Sequence, residues 1–109
     1  MDRRARKPLY SILDDSADLE DSIHAFVIGL AEQVDLLQDD EQSSDYESLE
    51  ERAVLIADEA DRMGYPEFAR AVQKVAQACG DELKDVIQKG LFDVTELARC
   101  IRQGHRGAA

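Results

Sequence analysis

Ser44-Asp45-Tyr46-Glu47-Ser48-Leu49-Glu50-Glu51-Arg52-Ala53-Val54-Leu55-Ile56-Ala57-Asp58-Glu59-Ala60-Asp61-Arg62-Met63-Gly64-Tyr65-Pro66-Glu67-Phe68 is the stretch that decides the fold. Leu49, Ala53, Ile56, Ala60 and Met63 recur at steps of four and three, which is the buried stripe of an amphipathic helix. Ser44 with Glu47 fits a capping box, the hydroxyl taking the third-position amide while the carboxylate reaches back. Gly64 is placed to take the left-handed conformation that ends a helix. Tyr65, restricted by the proline after it, then leads into Pro66 as the first residue of another helix. Val54, Ala57, Asp58 and Asp61 are expected to point away from the stripe.

Working outward, Leu19, Ile23, Phe26, Val27, Leu30, Val34 and Leu37 mark a longer helix over about 17–38, with Gly29 inside it. That glycine costs roughly 1 kcal/mol relative to alanine unless a close contact uses it. Residues 38–43 form a short polar connection, so the next helix is expected to be an antiparallel neighbour. On the other side, Phe68, Val72, Val75 and Cys79 line a third helix, and Gly80-Asp81 breaks it. Leu83, Ile87, Leu91, Val94, Ala98 and Ile101 predict a fourth over about 82–103. Its stripe runs in phase through Gly90, which favours one helix, kinked if Asp93 and Glu96 cap a fresh start there. Ahead of these, Pro8 to Leu13 reads as a short helical segment, followed by the cap candidates Asp14, Asp15 and Ser16. No segment alternates as a strand does. The expected architecture is all-α: an antiparallel four-helix bundle with a short N-terminal helical segment. Its parts are a flexible basic arm (1–8), the bundle (9–103) and a frayed tail (104–109).

The 109 residues suffice for one domain with its own core, without disulfides or a metal. Cys79 and Cys100 stand far apart with no ligand spacing around them and read as reduced core or boundary thiols. The formal net charge is −11; Arg3, Arg4, Arg6 and Lys7 against Asp2 give the arm a local +3 and leave −14 on the remainder. So acidic a body repels phosphate backbones and anionic lipid, which reads against nucleic-acid and membrane partners. No apolar run approaches the ~18 residues of a membrane span, and no apolar segment follows the basic residues as in a secretory signal. A cytoplasmic location is the expectation.

The chain resembles a histidine-containing phosphotransfer domain, the four-helix shuttle of bacterial phosphorelays. The resemblance runs from Pro8 to Arg102. It rests on the Pro8–Asp15 lead-in, on Phe26 and Leu30, on the Ser44-Asp45-Tyr46 start and on the Met63-Gly64-Tyr65-Pro66-Glu67-Phe68 turn. The family's defining motif is His-x-x-Lys-Gly on the exposed side of the second helix. Counting back from Gly64 puts its three chemical positions at Val54, Ala57 and Asp58, with Ala53 and Ile56 as matching buried neighbours. The resemblance implies a nucleophilic imidazole that takes a phosphoryl group from an aspartyl phosphate. Valine has no lone pair for that bond, Ala57 cannot offset phosphate charge, and Asp58 adds bulk and negative charge where the family keeps glycine. The chain is therefore identified as a degenerate member without the phospho-acceptor histidine. The implied partner is a response-regulator receiver domain or a histidine kinase, bound without phosphate transfer.

Ile28, Glu50, Val54, Asp58 and Asp61 are the candidate docking residues. His24 reads as a boundary histidine at the flank of the first stripe, or as a non-standard phosphoryl acceptor if it borders the Val54 surface; His105 falls in the expected frayed tail. A di-metal carboxylate bundle requires inward Glu-x-x-His pairs on two helices. Asp21 to His24 is the nearest approach, and it occurs once, off the stripe. Ser11, Ser22 and Ser48 have no activating base, and no phosphate loop or CxxC is present. The expectation is thus not an enzyme, with no catalytic residue, no metal and no cofactor, as a monomer or weak dimer. The competing reading is a structural or oligomerising bundle assembling through Ile28, Val54 or Phe92.

Overall fold

A computed structural model of the chain describes residues 7–13 and 17–108. Most of the expected basic arm and the cap candidates Asp14, Asp15 and Ser16 lie outside the described residues. Four helices make the fold: α1 (Glu20–Gln42), α2 (Tyr46–Arg62), α3 (Pro66–Gly80) and α4 (Lys84–Ala108), with a 3-10 turn at Ala17–Leu19 leading into α1. No strand occurs among the described residues. The helices contact in a ring, α1 to α2 to α3 to α4 and back to α1, with α2 against α3 the most extensive seam. A radius of gyration of 13.9 Å is close to the ~13 Å expected of a compact domain this long.

The core is built from the stripes. Ile23, Phe26, Val27, Leu30, Val34 and Leu37 from α1 meet Leu49, Ala53, Ile56 and Ala60 from α2 in one buried cluster. Phe68, Val72, Val75 and Cys79 enter it from α3, and Ile87, Leu91, Val94, Ala98 and Ile101 from α4. At one end Phe26 stacks on Tyr65, with ring centroids 5.8 Å apart, and meets Phe68 edge-on at 6.4 Å. Such pairs add ~0.5–1.5 kcal/mol beyond the area they bury. Polar contacts also tie the seams, among them Gln38 Nε2 donating to Thr95 Oγ1 at 2.9 Å, Gln88 Nε2 to Glu41 at 3.1 Å, and Arg52 Nε to Asp40 at 3.0 Å.

Helices α1, α2 and α3 end alike. In each, the residue after the cap has positive φ (Ser44 57°, Gly64 89°, Glu82 54°), and it and its successor donate backbone N–H groups to the last turn. This double bond pattern satisfies carbonyls that the helix leaves open. Only Gly64 announces it by residue type.

Several boundaries differ from expectation. α1 starts at Glu20 and continues through the expected polar connection to Gln42. The cap of α2 is one residue later than predicted: Ser44 is consumed by the left-handed end of α1, and Asp45 accepts from the Ser48 amide at 3.2 Å. Ser48 Oγ also donates to Asp45, at 2.9 Å. α4 begins at Lys84, so Leu83 falls in the preceding turn at 48% exposed instead of on the stripe. It runs unbroken through Gly90, whose missing Cβ lets Val75 approach: a Cβ there would lie 2.8 Å from Val75 Cγ2. Gly29, by contrast, faces open space, so no close contact explains it.

The expected N-terminal helical segment is instead an irregular strap across the end of the fold. Leu9 N–H donates to the Cys100 carbonyl at 3.0 Å, and Ile12 N–H to the Gly64 carbonyl at 2.9 Å. The buried Ser11 hydroxyl donates to the Met63 carbonyl at 2.6 Å and accepts from Leu13 N–H at 3.0 Å. The strap also explains why the expected frayed tail is helical: Gly104 is buried directly beneath Leu9, and α4 continues through His105 to Ala108.

Candidate functional site

The outward side of α2 carries the positions singled out in the sequence. Successive residues turn by 100° on a helix, so Leu49, Ala53, Ile56, Ala57 and Ala60 span a buried sector of roughly 100°. Val54 lies outside it, 46% exposed, and Leu55 is 69% exposed. Glu47, Glu50, Glu51, Asp58, Glu59 and Asp61 are all exposed around them. Arg62 is the exposed cation of this helix, because Arg52 is turned to Asp40. The result is a small apolar centre within a field of carboxylates.

Ala57 is a correction. It is 1% exposed, inside the core, and not on the outward patch. A narrow stripe through Ala53, Ile56 and Ala60 leaves Ala57 outside it, but α2 packs broadly on α3. The occluded sector therefore widens to include the position one turn after Ala53. A methyl suits that place; a long cationic side chain would have to bend outward to reach water.

Val54 borders two shallow hollows. One, about 430 Å³, is lined by Glu50, Glu51, Val54 and Leu55; the other, about 290 Å³, by Glu50, Val54, Gln73, Ala76 and Gln77. α3 thus supplies the second wall, for which these residues carry no local signal in the sequence. Ile28, expected to contribute to this patch, is 66% exposed but lines a different hollow with Val27, Arg102 and His105 at the α1–α4 seam. Of the five candidate docking residues, Glu50, Val54, Asp58 and Asp61 share the α2 face and Ile28 does not.

Glu50 also reaches the end of α3. Burial pushes the Cys79 thiol up to about 11, and the nearby Glu50 carboxylate adds to the effect. A thiol held protonated is a poor nucleophile. Cys79 and Cys100 are both buried, and neither is in a disulfide.

His24 is exposed, and its partner is His105: Nδ1 of one stands 2.8 Å from Nε2 of the other. The ring centroids are 5.0 Å apart with planes at 43°. Separated by 81 positions, the two were invisible as a pair in the sequence, and the expectation of a frayed tail concealed it further. Among the described residues no group of three or more His, Cys, Asp or Glu is placed to hold a metal ion, and no helix is long and apolar enough to cross a membrane. No protein-family model, curated protein or solved structure matches the chain.

Proposed function

We propose that this chain is a signalling interaction module, a phosphotransfer-like antiparallel four-helix bundle that binds a receiver or kinase domain without carrying phosphate. The antiparallel arrangement is supported by the residue pairs that join α1 to α4. His24 meets His105, Gln38 meets Thr95 and Glu41 meets Gln88, so one helix descends as the other ascends. The same sense for α2 and α3 is supported by Glu50 lying near Gly80, at the ends far from their connecting turn.

The observation that carries the functional reading is the outward, half-exposed Val54 at the position where the family places its nucleophile. An aliphatic side chain there forms no phosphoramidate, while it and Leu55 offer area to bury against a partner. The surrounding carboxylates select for a partner with basic residues around an apolar contact, since like charges across an interface cost several kcal/mol. The acidic active site of a receiver therefore docks only through a pose or an ion that shields Asp58 and Asp61. Domain folds of this kind host many functions, so the site and not the fold bears the claim.

Pull-down against receiver and kinase domains from the same genome tests the reading. Binding that Val54→Asp weakens supports it. No binding to any of them, or an acid-labile phosphoryl adduct lost in His24→Ala, contradicts it.

A further inference from the structure

His24 and His105 are joined by the fold alone, the first from the early turns of α1 and the second from the late turns of α4. An N···N approach of 2.8 Å requires a single proton between the two atoms, because two N–H groups or two bare lone pairs facing each other repel. A metal ion can join the same two nitrogens in place of that proton, seated to one side of the line between them. Imidazole nitrogen binds Zn²⁺ at ~2.0–2.1 Å, so two nitrogens sharing one ion at right to tetrahedral angles stand roughly 2.9–3.4 Å apart. A few tenths of an ångström of opening, with the two rings turned so that their lone pairs converge on one point, converts the one arrangement into the other.

We propose that His24 and His105 form a two-imidazole site for a borderline divalent transition metal (Zn²⁺, Ni²⁺ or Cu²⁺) that staples the end of α4 to the start of α1. The remaining coordination positions are taken by water, since His24 is exposed and His105 partly so. In the neutral pair each ring holds one proton. When the ion binds, the shared proton moves through solvent to the outer nitrogen of its own ring, leaving His24 protonated on Nε2 and His105 on Nδ1. No net proton is released, and nothing is oxidised or reduced.

The surroundings set the strength. Asp21 lies one turn before His24 on the same side of α1, and its carboxylate favours a cation. Arg102 lies one turn before His105, lines the adjoining hollow, and opposes one. With no third side-chain ligand in place among the described residues, the site is exchangeable and chooses by ligand softness and the Irving–Williams order, Cu²⁺ ahead of Ni²⁺ and Zn²⁺. Mg²⁺ and Ca²⁺, which take oxygen ligands, are refused. This inference is independent of the phosphorelay reading.

Calorimetric titration of the untagged 109-residue chain with CuCl₂, NiCl₂ and ZnCl₂ at pH 7.5, with MgCl₂ as control, is the test. One saturable equivalent is expected, weakened at least tenfold by His24→Ala and by His105→Ala, each variant checked for unchanged helicity. Cu²⁺ electron paramagnetic resonance on wild type should show two coordinated nitrogens, and the thermal midpoint should rise with Zn²⁺ in wild type only. Affinity unchanged in either variant would place the ion on the acidic surface and overturn the proposal, as would Mg²⁺ competing for the same equivalent or no saturable binding below millimolar ion.

Discussion

Gly29 and Gly90 are both interior helix glycines, and the same substitution should move stability in opposite directions at the two. Each Gly→Ala change gains about 1 kcal/mol of helix propensity. At Gly29 nothing lies within 4 Å of the new Cβ, so the whole gain is expected to appear. At Gly90 the methyl would stand 2.8 Å from Val75 Cγ2, inside van der Waals contact. Val75 is β-branched and 1% exposed, so its rotamer is stiff and its neighbours are packed. Overpacking of this kind costs about 1–3 kcal/mol, which cancels or exceeds the propensity gain. Denaturant titration with fixed slope, or calorimetry, reads the difference. Gly29→Ala should raise the midpoint by several degrees, on the scale of ~4–8 °C per kcal/mol for a small domain, while Gly90→Ala leaves it unchanged or lowers it. Adding Val75→Ala makes a cycle in which the two changes compensate, because the new methyl fills part of the cavity. Equal stabilisation at both glycines, or an additive cycle, would refute the claim that α3 and α4 touch at Gly90.

Three further outcomes follow from particular residues. Asp45→Ala removes the side-chain acceptor of the Ser48 amide and should cost about 1 kcal/mol in equilibrium unfolding, whereas Ser44→Ala touches no cap bond and should not reproduce that loss. Glu82→Gly should stabilise by roughly 0.5–1 kcal/mol, because φ of 54° strains an L-residue and not glycine. For Cys79 the folded thiol sits near 11 against an ordinary 9.0, so the fold favours the protonated form. That contribution is complete below pH 9.0 and is lost as pH rises through about 11. Peptide-resolved alkylation should find Cys79 labelled far more slowly at pH 8 than an exposed thiol, and Glu50→Gln should speed it slightly.

The helical class and the core were legible because apolar residues at steps of three and four leave few alternatives. Leu49, Ala53, Ile56 and Ala60 were readable individually, whereas Ala57 was not, because the width of a buried sector depends on how broadly the neighbour packs. The Ser44 cap failed for a related reason: its side chain competes for a place that the end of α1 had already taken, and Asp45 was one step away with equally good chemistry. Gly104 reads locally as a helix end, but the strap at Leu9 needs a residue without a side chain beneath it. The exposure of Val54 was available from periodicity; its α3 wall at Gln73, Ala76 and Gln77 was not, since it depends on the angle between two helices. The His24–His105 pair had no local signal at all.

The Val54 face of α2 is proposed as a docking surface that lacks a phosphoryl acceptor. Titrating the isotope-labelled chain with a phosphorylated receiver domain from the same genome, followed by amide NMR, tests it most directly. Shifts are expected to concentrate on Glu50, Val54, Leu55, Asp58 and Asp61 and on the adjoining residues of α3, with no phosphoimidazole signal. Shifts centred on His24 and His105 with a phosphoimidazole signal, or no shifts on α2, would contradict it.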